Sequence, residues 1–280
     1  MFDNERIIAM AKCKLCGKSG LFLKLNADGY CKSCEEYFEK KKKEEAEREK
    51  LNQQERDELN SIPRAPIALS SEIRKRQTGF EEPKYANITP KGIYTDFVVI
   101  DVETTGLAPS KDRIIELAAV RFANNMPVET FQTYINPEKA LSEEAKKVNH
   151  ITEEMVSTAP NISEVLPAFE AFVGNGIVVG HNLEFDLKFL FYSGCNLLES
   201  KCKFIDTLAQ AKKLLKAPKV KYDKESESYE KDYDSDYDVY DYTLDTLCDY
   251  YHVVIANQHS ALADSYATGK LFKRLVSEKQ

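Results

Sequence analysis

At 280 residues with 42% apolar content, the chain exceeds one average domain and can bury one full core plus a smaller module. Its longest apolar runs, FVVI at 97–100 and IVVG at 177–180, are far too short to cross a bilayer, which excludes a helical membrane span built on them. The net charge of −7 resides entirely in the tract 222–242, where nine acidic residues face two lysines, so the remainder is neutral and a polyanionic partner is not excluded.

The first residues, MFDNERIIAMAK, lack a basic stretch followed by a long apolar one, so no signal peptide is expected and a cytoplasmic location is the default. In that reducing setting the seven cysteines are expected to be metal ligands or free thiols rather than disulfides. Cys13-Lys-Leu-Cys16 and Cys31-Lys-Ser-Cys34 are two C-x₂-C pairs separated by fourteen residues. Four thiolates at this spacing predict a structural Zn²⁺ that holds together a segment too small for its own core. Gly17 and Gly29 fall where tight turns are needed. Residues 1–34 are therefore read as a zinc ribbon-like module. Its lysines suit a nucleic-acid backbone, and a protein-docking or purely structural role fits as well.

Residues 35–60 are rich in Glu and Lys without an apolar stripe, which predicts a solvated charged helix rather than a coiled coil. Residues 61–92 contain Pro63, Pro66, Pro83 and Pro90 without periodicity and read as a linker. From 93 to 280 the pattern predicts one α/β domain. Strands are expected at 96–101, 113–122, 129–135, 176–180 and 203–206. Helices are expected at 141–148, 162–173, 183–193, 207–215, 243–250 and 260–276. Three early strands followed by strand–helix alternation indicate a mixed sheet flanked by helices. The acidic, Tyr-rich tract 222–242 reads as a mobile surface insertion.

The chemistry begins in DFVVIDVETTG at 96–106. Residues two apart on a strand share a face, so Asp101 and Glu103 leave a buried strand on the same side. Two carboxylates held together raise each other's pKa unless a cation neutralises them, and hard divalent ions are the usual partners. Thr104-Thr105-Gly106 adds a turn with hydroxyls and free N–H groups. In HNLEFDLKFLF, Asn182 is placed to cap a helix that carries Asp186 on its inward side with Phe189 and Leu190. In HSALADSYATGKLFKRL, Ser260 is placed to cap a helix with Asp264 in its first turn, and His259 sits in the loop before it.

DVETTG, HNLEFD and HSALAD, in this order, resemble the three motifs of the DEDDh-type 3′→5′ exonucleases, in the style of the proofreading epsilon subunits of bacterial DNA polymerase III. The likeness covers about residues 93–278, with support from RIIELAAVRF, VNHITEEMV, FIDTLAQAKKLL and YTLDTLCDYYHV. It implies an RNase H-like fold and two Mg²⁺ or Mn²⁺ ions. Asp101 would bridge them, Glu103 and Asp264 would complete one site, and Asp186 would hold the second through water. His259 would be the general base. Thr104, Glu144 and Asn149 would approach the terminal nucleotide, although this chain reads Asn149-His150 where relatives often have His-Gly. The implied reaction releases nucleoside 5′-monophosphates from a free 3′ end, single strands preferred and DNA ahead of RNA. A separate polymerase or another protein is the implied partner.

A non-catalytic nucleic-acid or protein-binding adaptor and an RNA-trimming exoribonuclease are the alternatives. His150, His181 and His252 read as structural histidines, and Cys195, Cys202 and Cys248 as inert core thiols. Glu116 is expected to pair with a basic neighbour or face solvent.

Overall fold

The computed structural model describes residues 11–20, 23–71, 74–77, 85, 87–88, 92, 94–195, 197, 199–223, 228–257 and 259–278. They fall into two compact units, residues 1–54 and 55–280.

In the first unit β1 (Ala11–Lys12) pairs antiparallel with β2 (Ser19–Gly20). Gly17 and Gly29 both take positive φ, 71° and 88°, as the turns beside the cysteine pairs require. Asn26 closes the second turn by accepting the N–H groups of Asp28 and Tyr30 on its side-chain oxygen. The long helix α1 (Lys32–Ser61) starts at the second cysteine pair. Its ion pairs, such as Lys32–Glu36 and Lys40–Glu44, are exposed, as expected of a solvated helix.

The second unit is a five-stranded sheet in the order β5-β4-β3-β6-β7. The strands β3 (Phe97–Thr104), β4 (Ile114–Ala123) and β5 (Met126–Tyr134) form an antiparallel meander. The short helices α2 (Glu143–Asn149) and α3 (Glu153–Ser157) follow, the second not foreseen from sequence. Next, α4 (Ile162–Val173) leads to β6 (Ile177–Gly180), α5 (Leu183–Tyr192), β7 (Lys203–Asp206) and α6 (Thr207–Leu214), with β6 and β7 parallel to β3. After a hairpin of β8 (Lys219–Asp223) and β9 (Ser228–Asp232), α7 (Leu244–Tyr250) and α8 (Ala261–Ser277) complete the chain.

The period-2 alternation of β3 sorts its side chains between two cores. Val98, Ile100 and Val102 join the cluster under α4 and α5, whereas Phe97 and Val99 join the one under α8. Helix α8 lies close on the sheet because Gly269 carries no side chain. A Cβ there would clash with the ring edge of Phe122, which itself stacks on Phe97 at 4.7 Å.

Two sequence expectations are revised. The tract 222–242 holds β-hairpin strands and a cluster of tyrosine rings, Tyr233, Tyr237 and Tyr240, instead of a loop without structure; residues 224–227 lie outside the described residues. The described residues between 62 and 77 make backbone contacts with the domain. Pro63 and Ala65 exchange backbone hydrogen bonds with Thr130 of the edge strand β5, and Gln77 donates to the carbonyl of Tyr192. Asn87 bridges to Phe204 on the opposite edge strand, β7. Both sheet edges are thereby covered.

Gly269→Ala weighs a helix-propensity gain of about 1 kcal/mol against overpacking onto a buried ring, which costs about 1–3 kcal/mol. The expected outcome is a lowered urea unfolding midpoint, a net loss of up to about 2 kcal/mol. An unchanged or raised midpoint would mean that the helix–sheet contact is loose.

Candidate active site

The face of β3 that buries Phe97 and Val99 continues as Asp101 and Glu103 once the strand passes the end of its parallel neighbour β6, with which it pairs only at Val98 and Val99. Beyond that point the N–H of Val102 has no strand partner on this side. The Oδ1 of Asp186, carried by α5, accepts it at 3.0 Å in a buried setting. Asp264 enters from the first turn of α8, and one carboxylate oxygen each from Asp101, Glu103 and Asp264 lie within 4.8 Å of one another. Four acids from three parts of the chain thus meet at one end of the sheet.

Their electrostatics are those of uncompensated burial. The Asp101 carboxyl lies well above the usual carboxylate range because it is buried, with the charges of Asp186, Asp264 and Glu103 adding to the effect. Burial followed by Asp264 pushes Glu103 up to about 8, and burial followed by Asp245 pushes Asp264 up to about 7. Asp186 is also raised by burial, although the N–H of Val102 works in the opposite direction. Among the described residues none of the four has a lysine or arginine ion-pair partner.

Glu116 is the member that sequence reasoning missed. It is 1% exposed and, instead of a basic neighbour, it accepts Gln132 Nε2–H at 2.6 Å and the N–H of Ala261 at 3.1 Å. The β3–β4 register sets it directly opposite Glu103. A second oxygen-rich residue in RIIELAAV was visible, but only the register could show which residue it faces. By holding the first N–H of α8, Glu116 fixes the helix start that carries Asp264.

His259 takes positive φ, 61°, in the exposed turn before α8, and its backbone N–H donates to the Asp264 carboxylate. The ring of His150, at the C-cap of α2 with φ 57°, lies 6.4 Å from that of His259. His150 and His252 are exposed, so the structural role expected for them does not hold. His181 does fit that role: its ring nitrogens meet Thr207 Oγ1 at 3.0 Å and the carbonyl of Tyr242 at 2.9 Å. Asn182 and Ser260 occupy the N-cap positions of α5 and α8, but neither side chain makes the cap bond. Thr104 Oγ1 donates to the carbonyl of Gly106, Asn149 donates to that of Thr104 at 3.4 Å, and Glu144 is exposed in the first turn of α2. Asn149 also accepts the N–H of Ile151, so its amide braces the loop from both ends.

The donor set bears on which ions fit. Clustered carboxylate oxygens without a competing cation suit hard divalent ions such as Mg²⁺ or Mn²⁺. In the first unit Cys13, Cys16, Cys31 and Cys34 bring their sulfurs within 4.8 Å of one another, and none is in a disulfide. Cys16 and Cys31 sulfurs are 3.7 Å apart. A tetrahedron with Zn–S bonds of about 2.3 Å has edges of about 3.8 Å. Cys195, Cys202 and Cys248 are buried apart from both clusters.

Comparison with known proteins agrees with this geometry. The PolC-type DNA polymerase III of Caldanaerobacter subterraneus is 34% identical over 186 residues, which is 66% of this chain and 12% of that protein. The enzyme of the same name from Thermotoga maritima is 33% identical over 199 residues, 70% of this chain and 13% of that protein. The chain therefore spans only a small part of the length of these relatives. Among solved structures, one of exonuclease I superposes with a TM-score of 0.51 at 18% identity, covering 66% of this chain and 43% of that one. Escherichia coli exonuclease I in complex with a dT13 oligonucleotide gives 0.50 at 19%, covering 65% and 41%. At such identities the likeness shows the fold. Residues 98–272 match the RNase_T exonuclease family, and this chain belongs to it.

Proposed function

We propose that this protein is a metal-dependent 3′→5′ exonuclease of the DEDDh type. The observation that carries the reading is the meeting of Asp101, Glu103 and Asp264 oxygens within 4.8 Å, with buried Asp186 alongside. Asp101, Glu103, Asp186 and Asp264 would hold two Mg²⁺ or Mn²⁺ ions. Such a pair, when bound, activates the attacking water and stabilises the leaving 3′-oxygen. This chain's own part is to fix four oxygens at one strand end and to supply a proton acceptor. His259, exposed on a turn beside Asp264, is assigned as the general base that takes the proton of the attacking water.

Thr104, Glu144 and Asn149 are assigned to the terminal nucleotide: Thr104 ends β3, Asn149 donates to its carbonyl and Glu144 lies on α2. The substrate is a nucleic acid with a free 3′ end, single strands preferred and DNA ahead of RNA. The likeness to PolC-type polymerases and the dT13 bound by E. coli exonuclease I support that order. A polymerase or another protein is the proposed partner, and a cytoplasmic location goes with it.

In the N-terminal module a Zn²⁺ on Cys13, Cys16, Cys31 and Cys34 is proposed as structural, since four sulfurs leave no open coordination position. The proposed division of the chain keeps this module at 1–34, the charged helix at 35–60, the connecting segment at 61–92 and the nuclease domain at 93–280.

Two outcomes are expected. Asp101→Asn keeps the shape of the side chain but removes the charge shared by both ions. Release of mononucleotides from a 5′-labelled single strand with Mn²⁺ should fall at least about 10³-fold, in line with ΔΔG‡ of about 4 kcal/mol. Activity within a few-fold of the unaltered protein would contradict the two-ion assignment. Replacing Cys13 and Cys16 by Ser should drop the zinc content from one per chain to none by atomic absorption while cleavage of short single strands changes less than about threefold. Zinc retained in full, or loss of all cleavage, would contradict a separate structural site.

A further inference from the structure

A sizeable cavity in the second unit lies away from the residues of the carboxylate cluster. It measures about 640 Å³, within the range of ligand pockets, and lies where Arg74 and Arg76 of the connecting segment meet Arg113 and the start of α4. Arg74 pairs with Glu170 at 2.6 Å. Arg76 and Arg113 are different: among the described residues neither has a carboxylate ion-pair partner. Arg76 donates to the carbonyl of Pro109 and lies 5.9 Å from the ring centre of Tyr192. Arg113 donates to the carbonyls of Lys111 and Asp112 at 2.8 and 3.0 Å. Burial and then the charge of Arg113 disfavour the charge on Arg76, and Asp112 works in the opposite direction. Ser163 lines the same cavity from the first turn of the twelve-residue helix α4, whose positive end faces it. The nearby acids are otherwise engaged or form no ion pair with Arg76 or Arg113 among the described residues: Glu164 accepts the N–H of Asn161, and Asp112, whose charge acts on Arg76, accepts the N–H of Ala108 and pairs with Lys139.

Paired guanidiniums without a carboxylate, beside a helix N-terminus, favour a phosphate group, which forms charge-assisted and bidentate bonds with arginine. The position indicates whose phosphate. In the β3–β4 ladder Ile114 pairs with Thr104, so Arg113 is one residue past the strand end that carries Glu103. Arg74 and Arg76 lie outside residues 98–272, the stretch matched by the exonuclease family, so this cavity is an addition made by the chain's own connecting segment.

We propose that the Arg76–Arg113 cavity is a subsite for an internal phosphodiester of the nucleic-acid strand, upstream of the 3′ end held at the carboxylates. The proposal rests on the exonuclease reading, and its test keeps the two apart.

Binding of a 5′-fluorescent thymidine oligomer of about twenty nucleotides is followed by anisotropy in EDTA, where no hydrolysis occurs. Arg76→Gln should bind about five- to tenfold more weakly, with a salt slope shallower by about one. Ser163→Glu puts a negative charge into the cavity at a helix position that favours acids. It should weaken binding by a similar factor without lowering the melting temperature. The p-nitrophenyl ester of thymidine 5′-monophosphate, which has no upstream phosphate, should be hydrolysed with Mn²⁺ at an unchanged kcat/KM by both variants.

Unchanged oligomer affinity in both variants overturns the subsite. So does an equal loss on the ester, which would place Arg76 in the chemical site. A third contrary result is orthophosphate binding that Arg76→Gln abolishes while oligomer affinity stays intact, which would assign the cavity to free phosphate. Failure of the unaltered protein to hydrolyse either substrate counts against the exonuclease reading, and the anisotropy result still decides the cavity.

Discussion

Four carboxylates gathered at one strand end, Asp186 buried and the other three half-buried, with no lysine or arginine ion-pair partner among the described residues, set the terms for the rest of the structure. Taking one unpaired charge out of water is costly, and a group of them is worse, because each also raises the others. The fold bears that cost through contacts placed for it. The sheet core on both faces of β3 holds Asp101 and Glu103 in place. The N–H of Val102 anchors Asp186, and Glu116 anchors the first turn of α8 and hence Asp264. A cluster of carboxylates with raised pKa values and no ion-pair partner among the described residues supports the proposed divalent-ion site.

Much of this was legible in the residues. The β-branched run ending in Asp-x-Glu dictated a buried strand that surfaces at its acids, and α4 has the predicted bounds, 162–173. Asp186 was recognisable as an inward-facing acid from its spacing to Phe189 and Leu190, both buried. What escaped detection depends on contacts across the sheet. Glu116 gains its place only from the register that sets it against Glu103. Pro63 and Ala65 show no periodicity because they pair with the edge of an existing sheet instead of forming a face of their own. The hairpin of β8 and β9 was masked by its acidity, since charge density argued for a mobile loop while paired backbone and tyrosine rings give it order. The exposed positions of His150 and His252 were likewise hidden, because apolar neighbours in sequence do not fix which way a left-handed cap residue points.

The chain is also more than its family domain. Residues before 98 contribute a four-cysteine cluster, a solvated helix and the segment that supplies two cavity arginines. The PolC-type relatives match it over 12–13% of their own length. A thiolate cluster and a carboxylate cluster in one chain offer donors of different softness, which is why zinc is proposed for the sulfurs and magnesium or manganese for the oxygens.

The central claim is that the carboxylate cluster requires divalent ions. Glu103 and Asp264 have folded-state pKa values of about 8 and 7, above their ordinary values of 4.5 and 3.8. The folded state therefore holds more protons than the unfolded one across that window, and the metal-free protein loses stability as pH rises from about 4 to about 8. Ions that bind only the ionised cluster restore it. The direct measurement is the melting temperature with and without Mn²⁺ at pH 5 and pH 8, after zinc loading. The account predicts a clear rise with Mn²⁺ at pH 8 and little at pH 5. No rise at pH 8, or an equal rise at both, would contradict it.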